Sequence, residues 1–166
     1  MNKIVDKLSI VTDGSVNTLS KIGYGAYLAV FEHELSLDSL KALVKVKRFE
    51  DTSSTKLELQ TVLWALSDIQ VLKNQVTVYT DSRNIMNLQK RRARLEKNNF
   101  YSKNNRRLNN YELYQDFYRI TDHLNCKFVK VRGHQASIQK DDIDRLFTLV
   151  DRASRNALRT DNNLKV

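Results

Sequence analysis

The stretch Ser9-Ile10-Val11-Thr12-Asp13-Gly14-Ser15 reads as a buried β-strand that closes on an aspartate where the chain begins to turn. Asp-Gly after an apolar run is a common turn signal, because Asp caps nearby N–H groups and Gly accepts a positive φ. Taken singly, the aspartate needs no other explanation. The design recurs at Val76-Thr77-Val78-Tyr79-Thr80-Asp81-Ser82, a second alternating run that closes on Thr-Asp and a small residue. Strands separated by helical segments usually run parallel. Two such neighbours deliver both carboxylates at one edge of a sheet, where open α/β folds place their sites.

Working outward, alternation and bounding polar residues predict strands at about Leu8 to Thr12, Tyr24 to Phe31 and Leu43 to Phe49. These come first and nearly contiguously, so an antiparallel meander is expected. A helix is expected from about Ser54 to Leu72, then the strand Val76 to Thr80 and a short helix from Arg83. A helix from about Asn110 to Leu124, a strand from Lys127 to Val131, a loop, and a helix from about Asp142 to Arg159 complete the order. The expectation is one α/β domain over residues 1–166, its mixed five-stranded sheet (three antiparallel strands, then two parallel) flanked by helices.

The composition, 41% hydrophobic and 28% charged over 166 residues, is that of a soluble domain with a real core. The chain contains no apolar run of membrane-spanning length and no signal-peptide pattern at its start, so the expectation is a cytoplasmic protein without a membrane partner. Cys126 is the only cysteine, which excludes an internal disulfide and a cysteine metal cluster; its apolar setting favours core packing. The net charge of +9 and a pI near 9.7 point to a polyanionic partner. Much of that excess lies between Lys90 and Arg107, where Lys90, Arg91, Arg92, Arg94, Lys97, Lys103, Arg106 and Arg107 face one acid, Glu96. The plain alternative is a solvated charge run. Phe100 and Tyr101 lie within it, and rings among cations can stack on sugars or bases.

A third carboxylate stands out by its facing. With Leu57 at zero and about 100° per residue, Leu59, Val62, Ala65, Leu66 and Ile69 share one arc, and Glu58 falls inside it. The helix dipole explains a first-turn Glu but not a core-facing one, and such a carboxylate costs several kcal/mol unless it is paired or bound to a cation. Asp151 lies at the border of the apolar face formed by Ile143, Leu146, Phe147, Val150, Ala153 and Ala157, and could simply pair with Arg155. Asp13, Glu58, Asp81 and Asp151 thus all have reason to point toward a shared edge of the core. Crowded carboxylates raise one another's pKa, and hard divalent cations relieve that. Mg²⁺ suits an all-oxygen set, whereas zinc would want His and Cys. Two such ions about 4 Å apart can activate a water and stabilise the leaving oxygen of a phosphodiester.

The chain carries TDGS at Thr12–Ser15, GYGAYL at Gly23–Leu28, STKLEL ending at Leu59, YTDS at Tyr79–Ser82, VRGH at Val131–His134 and VDRAS at Val150–Ser154, and with these motifs, in family order over about residues 8 to 159, it resembles ribonuclease H of type 1. The resemblance implies a ribonuclease H-like fold, the four carboxylates as a two-metal site for Mg²⁺ with Mn²⁺ as a possible substitute, and hydrolysis of the RNA strand of RNA/DNA hybrids to 3′-hydroxyl and 5′-phosphate ends. It also implies that His134 is the family's mobile histidine near the scissile phosphate. By the same resemblance Gly14, Ser15 and Glu58 meet the RNA 2′-hydroxyls, and Ser54 and Thr55 stand where many members carry Asn or Gln that read the minor groove. The segment 90–107, with Lys90, Arg91, Arg92 and Arg94, occupies the place of the basic substrate-binding protrusion, or handle. A monomer is expected. Two further readings stay open: a binding module of this fold without turnover, usually marked by a lost carboxylate, and a DNA-directed nuclease or integrase of the superfamily.

Overall fold

The structure is a computed structural model, and it describes residues 7–31, 37–69, 75–131 and 142–163. Its sheet is built from β1 (Lys7–Asn17), β2 (Ile22–Phe31), β3 (Lys45–Phe49), β4 (Gln75–Thr80) and β5 (Cys126–Lys130) in the order β3-β2-β1-β4-β5. The pairs β1–β2 and β2–β3 are antiparallel, while β1–β4 and β4–β5 are parallel. This is the expected meander followed by two parallel strands. The helices are α1 (Leu37–Lys41), α2 (Ser54–Ile69), α3 (Arg83–Lys97), α4 (Tyr111–His123) and α5 (Asp142–Asn163).

Strand alternation divides the core in two. Leu8 and Ile10 of β1 and Val76 and Val78 of β4 face α2, α3 and α4, and pack with Leu59, Leu66, Leu88 and Phe117. Val11, Ala26, Leu28 and Val30 face the other way and pack with Leu40 of α1 and Leu146 and Val150 of α5. The sheet is therefore the middle of three layers.

Several element boundaries differ from expectation. The first strand continues through Asp13 to Asn17, because Asp13, Gly14 and Ser15 pair with Ala26, Gly25 and Tyr24 of β2. The turn comes later, where the Asn17 side-chain oxygen accepts from the Leu19 and Ser20 N–H groups and Lys21 takes φ 58°. The helix from Arg83 is not short: its 15 residues absorb the first half of the basic segment, around a buried stripe of Ile85, Leu88 and Leu95. The short α1 was not expected, and β3 begins at Lys45 rather than Leu43. Finally, α5 extends to Asn163, its end held by Asp161, which accepts from Tyr24 and Arg48 at 3.0 Å each. The part of the expected helix beyond Ile69, to Leu72, lies outside the described residues.

Three of the chain's four glycines make a seat for α2. Gly14 lies opposite Gly25 in the β1–β2 register, and Gly23 shares the face of Gly25. A Cβ at Gly14 would stand 2.9 Å from Leu57 Cδ2, one at Gly23 2.7 Å from the same atom, and one at Gly25 2.2 Å from Thr61 Oγ1. The missing side chains let the first turns of α2 press onto the strands. The residue beside Leu57 on that helix is Glu58.

Candidate active site

The parallel register of β1 and β4 runs from Lys7↔Gln75 to Val11↔Tyr79. Two residues further on, each chain presents an aspartate, Asp13 and Asp81. Here the strands part: β1 continues against β2 alone, while β4 gives way to the N-terminus of α3. This is a topological switch point, the place where an open α/β sheet opens a crevice at its strand ends.

The other two carboxylates come from the two helical layers. Glu58 is held by Ser82, whose Oγ donates to Glu58 Oε2 at 2.6 Å and accepts from the Ile85 N–H at 3.2 Å as the N-cap of α3. One hydroxyl thus ties α2 to the residue after Asp81. On the opposite face, Asp151 is fixed by the α5 contact with β1. The fully buried Ser154 donates to the Asp151 carbonyl at 3.0 Å and stands 3.1 Å, Oγ to Oγ, from Ser15, two residues past Asp13. Arg155 Nε lies 2.9 Å from Asp151 Oδ1, so the i+4 ion pair foreseen from sequence is also present.

Electrostatics link all four groups. The Asp13 carboxyl is pushed up to about 8, first by burial, then by its hydrogen bond with Asp151 and by the charge of Asp81; the Gly14 N–H opposes this. Arg155 lies across Asp151 and offsets its charge. Glu58 is raised as well, mainly by burial and further by Asp81, against the Ser82 hydroxyl, which lowers it. The interactions run Asp151–Asp13–Asp81–Glu58. Asp81 is exposed and Glu58 half-buried, so the row opens to solvent at one end.

A proton on Asp13 relieves the crowding of this acidic row, and a cation among the carboxylates would relieve it in the same way. The row's donors are all carboxylate oxygens, which suits a hard divalent ion and not zinc. Among the described residues no group of three or more His, Cys, Asp or Glu side chains is gathered closely enough to hold a metal ion. Mg²⁺ keeps several waters and takes only one or two protein carboxylates.

The remaining expected residues fall in different settings. Ser54 and Thr55 are exposed at the start of α2, beyond Glu58. Lys90 and Arg94 are exposed on α3. Arg91 lies 5.8 Å from the Tyr114 ring and donates to Asn84 Oδ1 at 3.3 Å. Arg92 is committed within the molecule: it donates to both Asp122 oxygens at 2.6 and 2.8 Å and to Glu96 at 2.8 Å, over the Tyr118 ring at 4.9 Å. Phe100, expected as a stacking ring, is buried in the core, whereas Tyr101 is exposed with Arg107 5.2 Å from its ring. The Cys126 thiol packs against the core and is pushed up to about 12 by burial, as its apolar setting foretold. His134 lies outside the described residues. Sequence reasoning missed Ser82 and Ser154 as supports; for Ser82 the available signal was its place as a hydroxyl residue just before a helix.

Residues 6–152, which include all four carboxylates, match the family described as RNase H. The chain belongs to the ribonuclease H family. Ribonuclease H of Acetivibrio thermocellus is 28% identical over 147 residues, covering 86% of this chain and 92% of the relative. Ribonuclease H of Caldicellulosiruptor saccharolyticus is 30% identical over 156 residues, covering 90% and 94%. Among solved structures, the solution structure of the PFV RNase H domain superposes with a TM-score of 0.68 at 12% identity, over 92% of this chain and 93% of that one. A foamy viral protease-reverse transcriptase in complex with RNA/DNA hybrid matches with a TM-score of 0.61 at 11% identity, over 90% of this chain and 20% of its own. At such identities these two likenesses bear on the fold alone. As a ribonuclease H the chain is an enzyme.

Proposed function

We propose that this ribonuclease H cuts the RNA strand of RNA/DNA hybrids internally, leaving 3′-hydroxyl and 5′-phosphate ends, at a site formed by Asp13, Glu58, Asp81 and Asp151. The observation that carries the reading is the row of interacting carboxylates at the β1/β4 switch point, crowded enough to hold Asp13 protonated near neutral pH. Two Mg²⁺ ions, with Mn²⁺ as a substitute, would supply an activated water and neutralise the leaving oxygen. Asp13 and Asp81, abreast at the strand ends, would be shared ligands, with Glu58 and Asp151 completing the set from either side. Asp13 would give up its proton as the ions enter. Ser82 keeps Glu58 in one orientation, and the Ser15–Ser154 contact keeps α5, with Asp151, against β1.

The hybrid is supported as substrate by the family and its curated ribonuclease H relatives. Gly14, Ser15 and Glu58 would meet the 2′-hydroxyls, with Ser54 and Thr55 toward the minor groove. Lys90, Arg91 and Arg94 would meet phosphates, while Arg92, tied to Asp122, holds α3 against α4. His134 would assist water activation or product release. The reading includes a single-domain monomer acting in the cytoplasm, with the basic handle at about 90–107. No helix among the described residues is long and apolar enough to cross a membrane.

A protein distinguishes RNA from DNA at a nucleotide through the 2′-hydroxyl and the groove shape it imposes. A hybrid whose RNA strand carries an internal deoxynucleotide patch tests this directly. Cuts should fall outside the patch, and the DNA strand should survive throughout. Cutting within the patch, or of the DNA strand, would contradict the proposal.

A further inference from the structure

The outward face of α5 touches the carboxylate site only through Arg155, which pairs with Asp151. Leu146, Val150 and Ser154 turn toward the sheet and are buried. At about 100° per residue the opposite arc holds Arg145, Thr148, Arg152, Arg155, Asn156 and Arg159, and no acid falls within it. Arg145, Arg152 and Arg159 are all exposed and stand seven residues apart, forming one stripe about 21 Å long. Among the described residues none of the three is in an ion pair, whereas Arg155 is held by Asp151.

The choice of cation is also uneven. Ten of the chain's thirteen arginines lie in two stretches, six between Arg83 and Arg107 and four on α5, and α5 has no lysine. A face serving solubility alone would mix signs and use Lys and Glu freely. A stripe of arginines suits phosphate, which the planar guanidinium binds with two parallel hydrogen bonds. The two stretches lie on opposite sides of the sheet, since α3 packs with α2 and α4 while α5 packs on the other face.

We propose that Arg145, Arg152 and Arg159 form a second phosphate-binding surface, which grips the backbone of a nucleic-acid duplex running past the carboxylate site. The inference rests on the reading of the chain as a nucleic-acid enzyme and adds a surface outside its catalytic footprint. Charge complementarity and continuity support it: Arg152 follows Asp151 directly, so the stripe passes the acidic row and extends beyond it. With one charge per 3.4 Å of axis on each strand, a 21 Å stripe faces roughly six phosphates. Protein partners are met through a desolvated apolar or aromatic centre, and membrane-surface helices through an apolar face. The exposed arc of α5 offers neither.

The test compares the wild-type protein with the R145Q/R152Q/R159Q variant, without divalent metal so that no substrate is consumed. Binding to labelled hybrids of about 8 and about 24 base pairs is followed by fluorescence anisotropy over a range of KCl; the shorter duplex spans little more than the site. Each lost phosphate contact removes about 0.9 from the slope of log K against log salt. The expected result is a slope lower by about 2 to 3 on the long duplex and by no more than about 1 on the short one, which meets Arg152 beside the site, with the slope restored in R145K/R152K/R159K. Should the triple variant fold poorly, R152Q alone should lose about 0.9. An unchanged slope on the long duplex overturns the proposal, and so does an equal loss on the short duplex. Unchanged duplex binding with lost binding to vesicles of anionic lipid would overturn it in favour of a membrane. A wild-type protein that binds hybrid but never cuts it would contradict the catalytic reading, and the slope comparison would still decide the arginine stripe.

Discussion

Replacing Asp13 by Asn removes a carboxylate from a crowd while keeping its shape, so its effect on stability should carry a pH signature. Folding moves this carboxyl from its ordinary 3.8 up to about 8. The folded chain therefore binds a proton that the unfolded chain has released. The stability from that proton is fully present below about pH 4 and is lost as pH rises toward 8. At pH 7 the gap is about three pK units at about 1.4 kcal/mol each, an upper bound near 4 kcal/mol, and relaxation of the neighbouring carboxylates brings the expected figure to on the order of 2–4 kcal/mol. Asn, which does not titrate, should recover that amount, raising Tm by roughly 5–12 °C at pH 7–8 in metal-free buffer and by little at pH 4. Calorimetry of both proteins between pH 4 and 8 measures the difference directly. Mg²⁺ should stabilise the wild type more at pH 8 than at pH 5, because at pH 8 only about half of the Asp13 carboxyls still hold a proton that the ion must displace. A gain in Tm that is the same at every pH, or an Asn variant less stable at pH 8, would refute the assignment of the crowd to Asp13.

Other perturbations separate support from chemistry. Ser82→Ala removes both the α3 N-cap and the partner of Glu58, so urea melts should show a loss of about 1–2 kcal/mol, with Ser82→Thr losing less than half of that. Gly25→Ala drives a Cβ toward the buried Thr61, whose hydroxyl donates to the Leu57 carbonyl and cannot swing aside; a cost of roughly 1–3 kcal/mol is expected, partly relieved by adding Thr61→Ala. Exchanging Lys90 and Arg94 for Gln should lower the salt slope for short hybrids by up to about 2 while leaving the rate at saturating substrate nearly unchanged. Arg92→Gln should act instead on stability, losing about 1 kcal/mol or less with its exposed partner Asp122.

The carboxylates were legible because each breaks a local pattern: two alternating apolar runs close on Thr-Asp, Glu58 sits on an apolar arc, and Asp151 borders one. The parallel register then places Asp13 and Asp81 abreast, which neither stretch declares alone. Asp13-Gly14 misled as a turn signal because the pairing partner that keeps this stretch in the sheet, Gly25, lies eleven residues on and serves α2 as much as β1. The length of α3 was hidden by charge density, which drew attention from the sparse stripe of Ile85, Leu88 and Leu95. Arg92 read as a free cation because its partner, Asp122, is thirty residues away on another helix. Ser154 was invisible as a support because a single hydroxyl leaves no periodic trace, whereas Ser82 showed only as a hydroxyl residue just before a helix.

The central claim is that these four carboxylates, loaded with divalent metal, cleave the RNA strand of a hybrid. Incubating an end-labelled RNA/DNA hybrid with wild type, Asp13→Asn and Asp81→Asn proteins, each with and without Mg²⁺, beside matched DNA and RNA duplexes, tests it most directly. The account predicts internal RNA-strand cuts with 5′-phosphate ends by the wild type in Mg²⁺ only, and loss of most turnover in both variants with hybrid binding retained. Cutting that survives in Asp13→Asn, or that proceeds equally on the all-DNA duplex, would contradict it.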